Sequence, residues 1–131
     1  MDRKLIVTYY LHSGFSVAAE DILLVFDYWT GEHGELPEDK RITVDFLKQF
    51  RQVYVFISHE HPDHLDPVVF TWRNEAPVTY IVAADMPVGT RGKRMAPGDS
   101  LTLSPEVSVK AFDSTDLGVS FLVDIQGVHV F

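Results

Sequence analysis

The sequence contains no cysteine, which excludes disulfides, thiolate metal sites and thiol nucleophiles together. It also lacks any apolar stretch near the ~18 residues needed to span a bilayer. No short apolar run behind a basic start marks a secretory leader, so a cytoplasmic location is expected. Basic residues are few: eleven Lys and Arg stand against nineteen Asp and Glu, a net charge of −8. Such a surface repels phosphate backbones and anionic headgroups, so neither nucleic acid nor a membrane is an expected partner. Arg91, Lys93 and Arg94 form the one basic cluster, and between glycines they read as a solvated loop. Repeats, linkers and low-complexity tracts are missing too.

What remains is the composition of one globular domain: 131 residues, 46% hydrophobic and 23% charged. Residues 1–131 are therefore read as a single domain, with strands dominating. Leu5–Leu11 is rich in β-branched and aromatic side chains, and an extended pattern resumes at Phe15–Ala19. Ile22–Phe26 and Val53–Ile57 are unbroken apolar runs, as expected of strands buried on both faces. Thr43 is placed to cap a helix from Val44 to about Arg51. Asp66-Pro67 is an N-cap and first-turn pair opening a second helix toward Trp72. Val78–Ala83, Leu101–Leu103 and Val107–Phe112 read as further strands. Val119–Ile125 and Val128–Phe131 form a last hairpin around Gln126-Gly127. The expected fold is α+β, a mainly antiparallel sheet with two helices placed between strands. The chain stops at Phe131 inside an apolar strand, which reads as a C-terminal truncation.

Chemistry concentrates at His59-Glu60-His61-Pro62-Asp63-His64, which holds three of the six histidines directly after a buried strand. Imidazoles and a carboxylate converging on one point suit Zn²⁺ or a similar divalent ion. The i, i+2 spacing of His59 and His61 fits one metal in an extended loop. Asp63 and His64 can turn toward a second, giving the two-metal arrangement used in hydrolysis. Zinc leads on ligand chemistry, as one or two ions, with manganese and iron as alternatives.

The pattern His59-x-His61-x-Asp63-His64 after a strand resembles the signature of the metallo-β-lactamase superfamily. Upstream, Leu11–Val17 and Leu23–Asp27 resemble its opening strands, which end on the family's aspartate. Ser58 before the signature and Leu65-Asp66 after it look like the lactonase-like branch, similar to the L-ascorbate-6-phosphate lactonases. The resemblance implies an αββα sandwich, of which this chain is the N-terminal half. It implies that His59 and His61 ligate a first metal and that Asp63 and His64 ligate a second. Asp63 would also orient the attacking water, and Asp27 would support the loop through hydrogen bonds. His12 would lie at the mouth of the site, binding substrate or assisting proton transfer; otherwise it simply hydrogen-bonds its own turn.

The departures are specific. The stretch where a third histidine is expected reads Asp113-Ser114-Thr115-Asp116. Asp113 or Asp116 either replaces it as an oxygen ligand or belongs to an ordinary loop. The bridging aspartate and last histidine would lie beyond Phe131. The expected function is a metal-dependent hydrolase using a metal-activated water on a small ester, lactone or phosphoester, with this chain alone incomplete and weakly active or inactive. The alternative is a degenerate, non-catalytic binding or structural module of the same fold. A half-sandwich would leave a sheet face open, so a homodimer through that face is also expected.

Overall fold

The computed structural model describes residues 5–59, 66–87, 90, 92–114 and 118–130. Its strands are β1 (Leu5–Tyr9), β2 (Phe15–Ala19), β3 (Ile22–Phe26), β4 (Gln52–Ile57), β5 (Val78–Ala83) and β6 (Lys93–Met95), then β7 (Ser100–Ser104), β8 (Val107–Asp113), β9 (Val119–Ile125) and β10 (Val128–Val130). The first six form one sheet in sequence order, and the last four a second sheet in the order β10-β9-β8-β7. The fold is α+β, as its composition of elements predicts.

In the larger sheet β1, β2 and β3 are antiparallel neighbours, whereas β3, β4, β5 and β6 run parallel. The second sheet is antiparallel throughout. Antiparallel pairing predominates as expected, and the parallel block falls on the continuous apolar runs. Every residue of β3 is buried, as are Val53–Ile57 of β4. Strands covered on both faces carry no polar alternation, which is the usual state of parallel strands.

The two faces of the larger sheet have different covers. Phe15, Phe26 and Phe56 are register partners on β2, β3 and β4. Their rings stack at 4.6 and 4.8 Å, and Phe121 of β9 meets Phe56 at 5.3 Å. Along β8 and β9 burial alternates, with Val107, Val109, Ala111, Val119, Phe121, Val123 and Ile125 turned into the core. The second sheet thus packs on the Phe56 face. The opposite face lies under the connections, where Tyr28, Leu36, Leu47, Val69 and Trp72 are buried. The Tyr80 hydroxyl donates to the Val69 carbonyl, which ties β5 to this layer. Burial pushes the Tyr28 and Tyr80 phenols up from the ordinary tyrosine range.

The Phe56 face of the larger sheet is thus covered within the chain by β7–β10. Among the described residues the most exposed large apolar side chains lie on the edge strand β1, where Ile6, Val7 and Tyr9 are 54–67% exposed.

Both helices differ from expectation in length or kind. The first is a single turn, α1 (Val44–Leu47), capped by the Thr43 hydroxyl, which accepts from the Phe46 N–H at 3.1 Å. It stops early because the Arg51 N–H is drawn to the Asp21 carbonyl at 2.7 Å, feeding the chain straight into β4. The second, Pro67–Asn74, is a 3₁₀ helix. β-branched Val68, Val69 and Thr71 crowd its turns, and the Thr71 hydroxyl bonds back to the Val68 carbonyl at 2.6 Å. A further 3₁₀ turn spans Glu38–Lys40. At the β9–β10 hairpin both central residues, Gln126 and Gly127, have positive φ (53° and 86°), the geometry of a two-residue type I′ turn.

No helix among the described residues is long and apolar enough to cross a membrane.

Candidate metal centre

Parallel strands deliver their C-terminal ends to one edge of the sheet, and such edges are where open α/β sheets place ligands. Here β3 ends at Asp27 and β4 ends at Ser58-His59, side by side. Asp27 has φ 46°, a left-handed conformation that a short polar side chain tolerates, and its N–H donates to the Phe56 carbonyl at 2.9 Å. The chain turns sharply there, and the carboxylate reaches across to the end of β4.

That reach builds a chain of polar contacts. The Ser58 N–H donates to Asp27 Oδ1 at 2.8 Å, and the Ser58 hydroxyl donates to Asp27 Oδ2 at 2.6 Å. Ser58 Oγ also lies 2.6 Å from His59 Nδ1, and His59 Nε2 lies 3.1 Å from Ser114 Oγ. Ser58 is buried at 7% exposure, so these bonds are shielded from competing water. Both Asp27 carboxylate oxygens thus accept from Ser58, the residue before His59.

The loop from β8 to β9 closes the same edge. The Val119 N–H donates to the Ser58 carbonyl at 3.0 Å, and the Gly118 N–H donates to Asp85 Oδ2 at 2.8 Å. Gly118 (φ +95°) passes so close that a Cβ there would sit 2.0 Å from the Ser58 carbonyl oxygen. Between these elements lies an open cleft of about 290 Å³ lined by Ser13, Phe15, Asp27, Ser58, His59 and Phe121, among others.

His12 sits in the Leu11–Gly14 turn beside this cleft with φ 56°. Its Nδ1 is 3.2 Å from the Ser13 hydroxyl and its ring meets Trp29 edge-on at 5.9 Å. Asp66 is a helix cap: it accepts from the Val68 N–H at 3.0 Å and, through its other oxygen, from the Thr30 hydroxyl at 2.6 Å. Arg94 of the basic cluster is also structural, since its guanidinium donates to the carbonyls of Ala84, Met86 and Pro87. His129 pairs with Asp124 at 3.1 Å on the exposed rim, away from the cleft.

Of the four expected ligands, His59 lines the cleft, while His61, Asp63 and His64 lie outside the described residues. Among the described residues no three His, Asp or Glu side chains converge on one point. Asp116 is likewise outside them, and Asp113 closes β8 opposite Val119. Among the described residues of that loop, Ser114 contacts His59. The roles of Ser114 and Gly118 were hidden in the sequence, since only docking of a distant loop brings them to the histidine.

The α+β fold that brings Asp27 and His59 to this edge is shared with solved metal-dependent hydrolases. Two solved structures with this fold are a metal-dependent hydrolase assigned in Parabacteroides distasonis and Igni18, a metallo hydrolase of the archaeon Ignicoccus hospitalis. The first is 17% identical with a TM-score of 0.70, covering 97% of this chain and 59% of the other. The second is 19% identical with a TM-score of 0.72, covering 96% and 58%. CmlA, a diiron β-hydroxylase of Streptomyces venezuelae, also matches at 15% identity and a TM-score of 0.64, over 95% of this chain and 28% of that one. The chain thus spans just under three fifths of the length of the two hydrolases. No family profile matches the sequence, and no curated protein matches it.

Proposed function

We propose that this chain forms the N-terminal part of a metal-dependent hydrolase of the metallo-β-lactamase type, lactonase-like branch, acting on a small ester, lactone or phosphoester. The observation that carries the reading is the Asp27–Ser58–His59 chain of hydrogen bonds at the mouth of the cleft. A carboxylate that orients an imidazole is the usual support of a metal-ligating histidine. The donor set therefore fits a divalent ion held by His59 and His61, with Asp63 and His64 available to a second. When bound, the metal supplies an activated water and polarises the scissile group.

In the same reading Asp63 orients the attacking water and His12, next to Ser13 on the cleft wall, contacts substrate. Phe15, Phe26 and Phe121 line the cleft floor, which suits a small substrate with an apolar part. Zinc is the first choice, and iron gains some weight from the diiron enzyme that shares the fold. The partner is a small molecule rather than nucleic acid or membrane, and a cytoplasmic location belongs to the same reading. Turnover by this chain alone is expected to be weak or nil, because the stretch where the resemblance expects a third histidine reads Asp113-Ser114-Thr115-Asp116.

Metal content of the purified, unchelated chain tests the proposal, measured beside the His59→Ala/His61→Ala double variant. About one equivalent or more of zinc, manganese or iron, lost in the variant, is the expected result. A folded chain without metal, unable to take up added zinc, would favour the second reading, a degenerate non-catalytic module. That reading has one specific observation behind it: Ser114 contacts His59 Nε2 where the resemblance expects a third histidine nearby.

Self-association as a homodimer, expected through a sheet face, is proposed to involve the edge strand β1. Its outer edge is free of a neighbouring strand among the described residues, and Ile6, Val7 and Tyr9 expose apolar surface. Light scattering should show a homodimer at micromolar concentration that Val7→Lys converts to monomer. A wild-type monomer would remove this part of the proposal.

A further inference from the structure

Ser58 does more than fill the space between Asp27 and His59, because an ionised Asp27 constrains where the protons along these contacts can sit. An ionised Asp27 carboxylate can only accept hydrogen bonds. Its Oδ1 is met by the Ser58 N–H at 2.8 Å and its Oδ2 by the Ser58 hydroxyl at 2.6 Å. A serine hydroxyl has one proton, and here it is committed to Oδ2. The second short contact of the same oxygen, 2.6 Å to His59 Nδ1, must then be one in which Ser58 accepts. His59 Nδ1 therefore carries the ring proton. In the neutral ring Nε2 is left as the lone-pair nitrogen, and it accepts from the Ser114 hydroxyl at 3.1 Å.

We propose that Ser58 is a positioning residue that relays the Asp27 charge to His59 and fixes the Nδ1–H tautomer, leaving Nε2 as the nitrogen offered to a metal. The backbone of Ser58 is pinned as well. Its N–H is held by Asp27, and its carbonyl accepts from the Val119 N–H at 3.0 Å. Ser58 thus holds its hydroxyl at a set height between carboxylate and imidazole. Threonine can keep the same oxygen in place, whereas alanine removes both the donor to Oδ2 and the acceptor for Nδ1–H. Ser114 then stands where an ion on Nε2 would compete with it, so its hydroxyl must move aside on binding.

The metal arm of the test rests on the proposed function; the tautomer arm does not. Long-range ¹⁵N–¹H correlation spectra of the full chain, with the His59 ring neutral, should place the proton on Nδ1 in the wild type and in Ser58→Thr. Ser58→Ala should show a raised share of the Nε2–H form. Titration with zinc alone against a chromogenic chelator should show Ser58→Ala weakened by about 10–100-fold, with Ser58→Thr close to wild type. A wild-type ring protonated on Nε2 overturns the proposal, and that spectrum needs no variant to fold. So does a folded Ser58→Ala chain with unchanged tautomer and zinc affinity. A wild type that carries the Nδ1 proton yet takes up no zinc would overturn the metal-dependent reading while supporting the positioning role.

Discussion

Replacing Gly118 by alanine should cost about 3–5 kcal/mol of stability and abolish metal retention, although a single methyl group is added. Gly118 has φ +95°, where a side chain is strained by about 1–3 kcal/mol. The added Cβ would also stand 2.0 Å from the Ser58 carbonyl oxygen and 3.0 Å from the His59 ring. Neither neighbour can give way cheaply, since that carbonyl is fixed by Val119 and the ring by Ser58 and Ser114. The β8–β9 loop must therefore lift off, breaking the Val119–Ser58 bond and the Gly118–Asp85 bond at 2.8 Å. The Gly118–Asp85 bond is exposed, but Val119 and Ser58 are buried, and each buried group left unpaired there adds about 1–3 kcal/mol. Gly98→Ala provides the control, because Gly98 has φ +92° but nothing within 4 Å of its would-be Cβ. It should lose only the backbone strain of about 1–3 kcal/mol and leave metal retention unchanged. Urea unfolding of both variants separates strain from contact; equal costs would mean that the close approach at Gly118 is unimportant.

The sequence carried much of this site, and the reasons for what it withheld are physical. Ile22–Phe26 and Val53–Ile57 are apolar without alternation, so their burial on both faces was legible, as were the sharp stops at Asp27 and Ser58. Gln126-Gly127 and Asp66-Pro67 announced their turn and cap through backbone preferences that act within four residues. The parallel pairing of β3 with β4 was not legible, because periodicity reports which faces are buried and not which strand lies alongside. Nor could the sequence show that β7–β10 form a second sheet over the Phe56 face. The length of α1 was misjudged because the Arg51–Asp21 bond that ends it joins positions far apart in the chain. The same holds for Ser114 and Gly118: ordinary loop residues in sequence, they acquire their roles only through docking against Ser58 and His59.

Phe56→Ala is expected to lower stability by about 3–5 kcal/mol, with Tm falling roughly 10–20 °C for a chain of this size. Phe56 has no exposed surface and stands in the aromatic ladder from Phe15 through Phe26 to Phe121, the contact that joins the two sheets. Truncation leaves a cavity that neighbouring strands can close only by bringing the sheets together, which the bulk of Phe26 and Phe121 opposes. The consequence reaches the site by a short path. The Phe56 carbonyl accepts from the Asp27 N–H at 2.9 Å, and Phe15, Phe26 and Phe121 line the cleft directly. Loss of the ring should therefore loosen Asp27 against Ser58 and weaken zinc affinity as well as the fold. Val55→Ala tests this link, since Val55 is equally buried one residue earlier but faces the opposite side of β4. It should destabilise the chain while leaving the affinity of the folded protein for zinc near the wild-type value. If both variants weaken zinc binding in proportion to their loss of stability, the ladder has no special tie to the site, and the cleft depends only on the integrity of the sandwich as a whole.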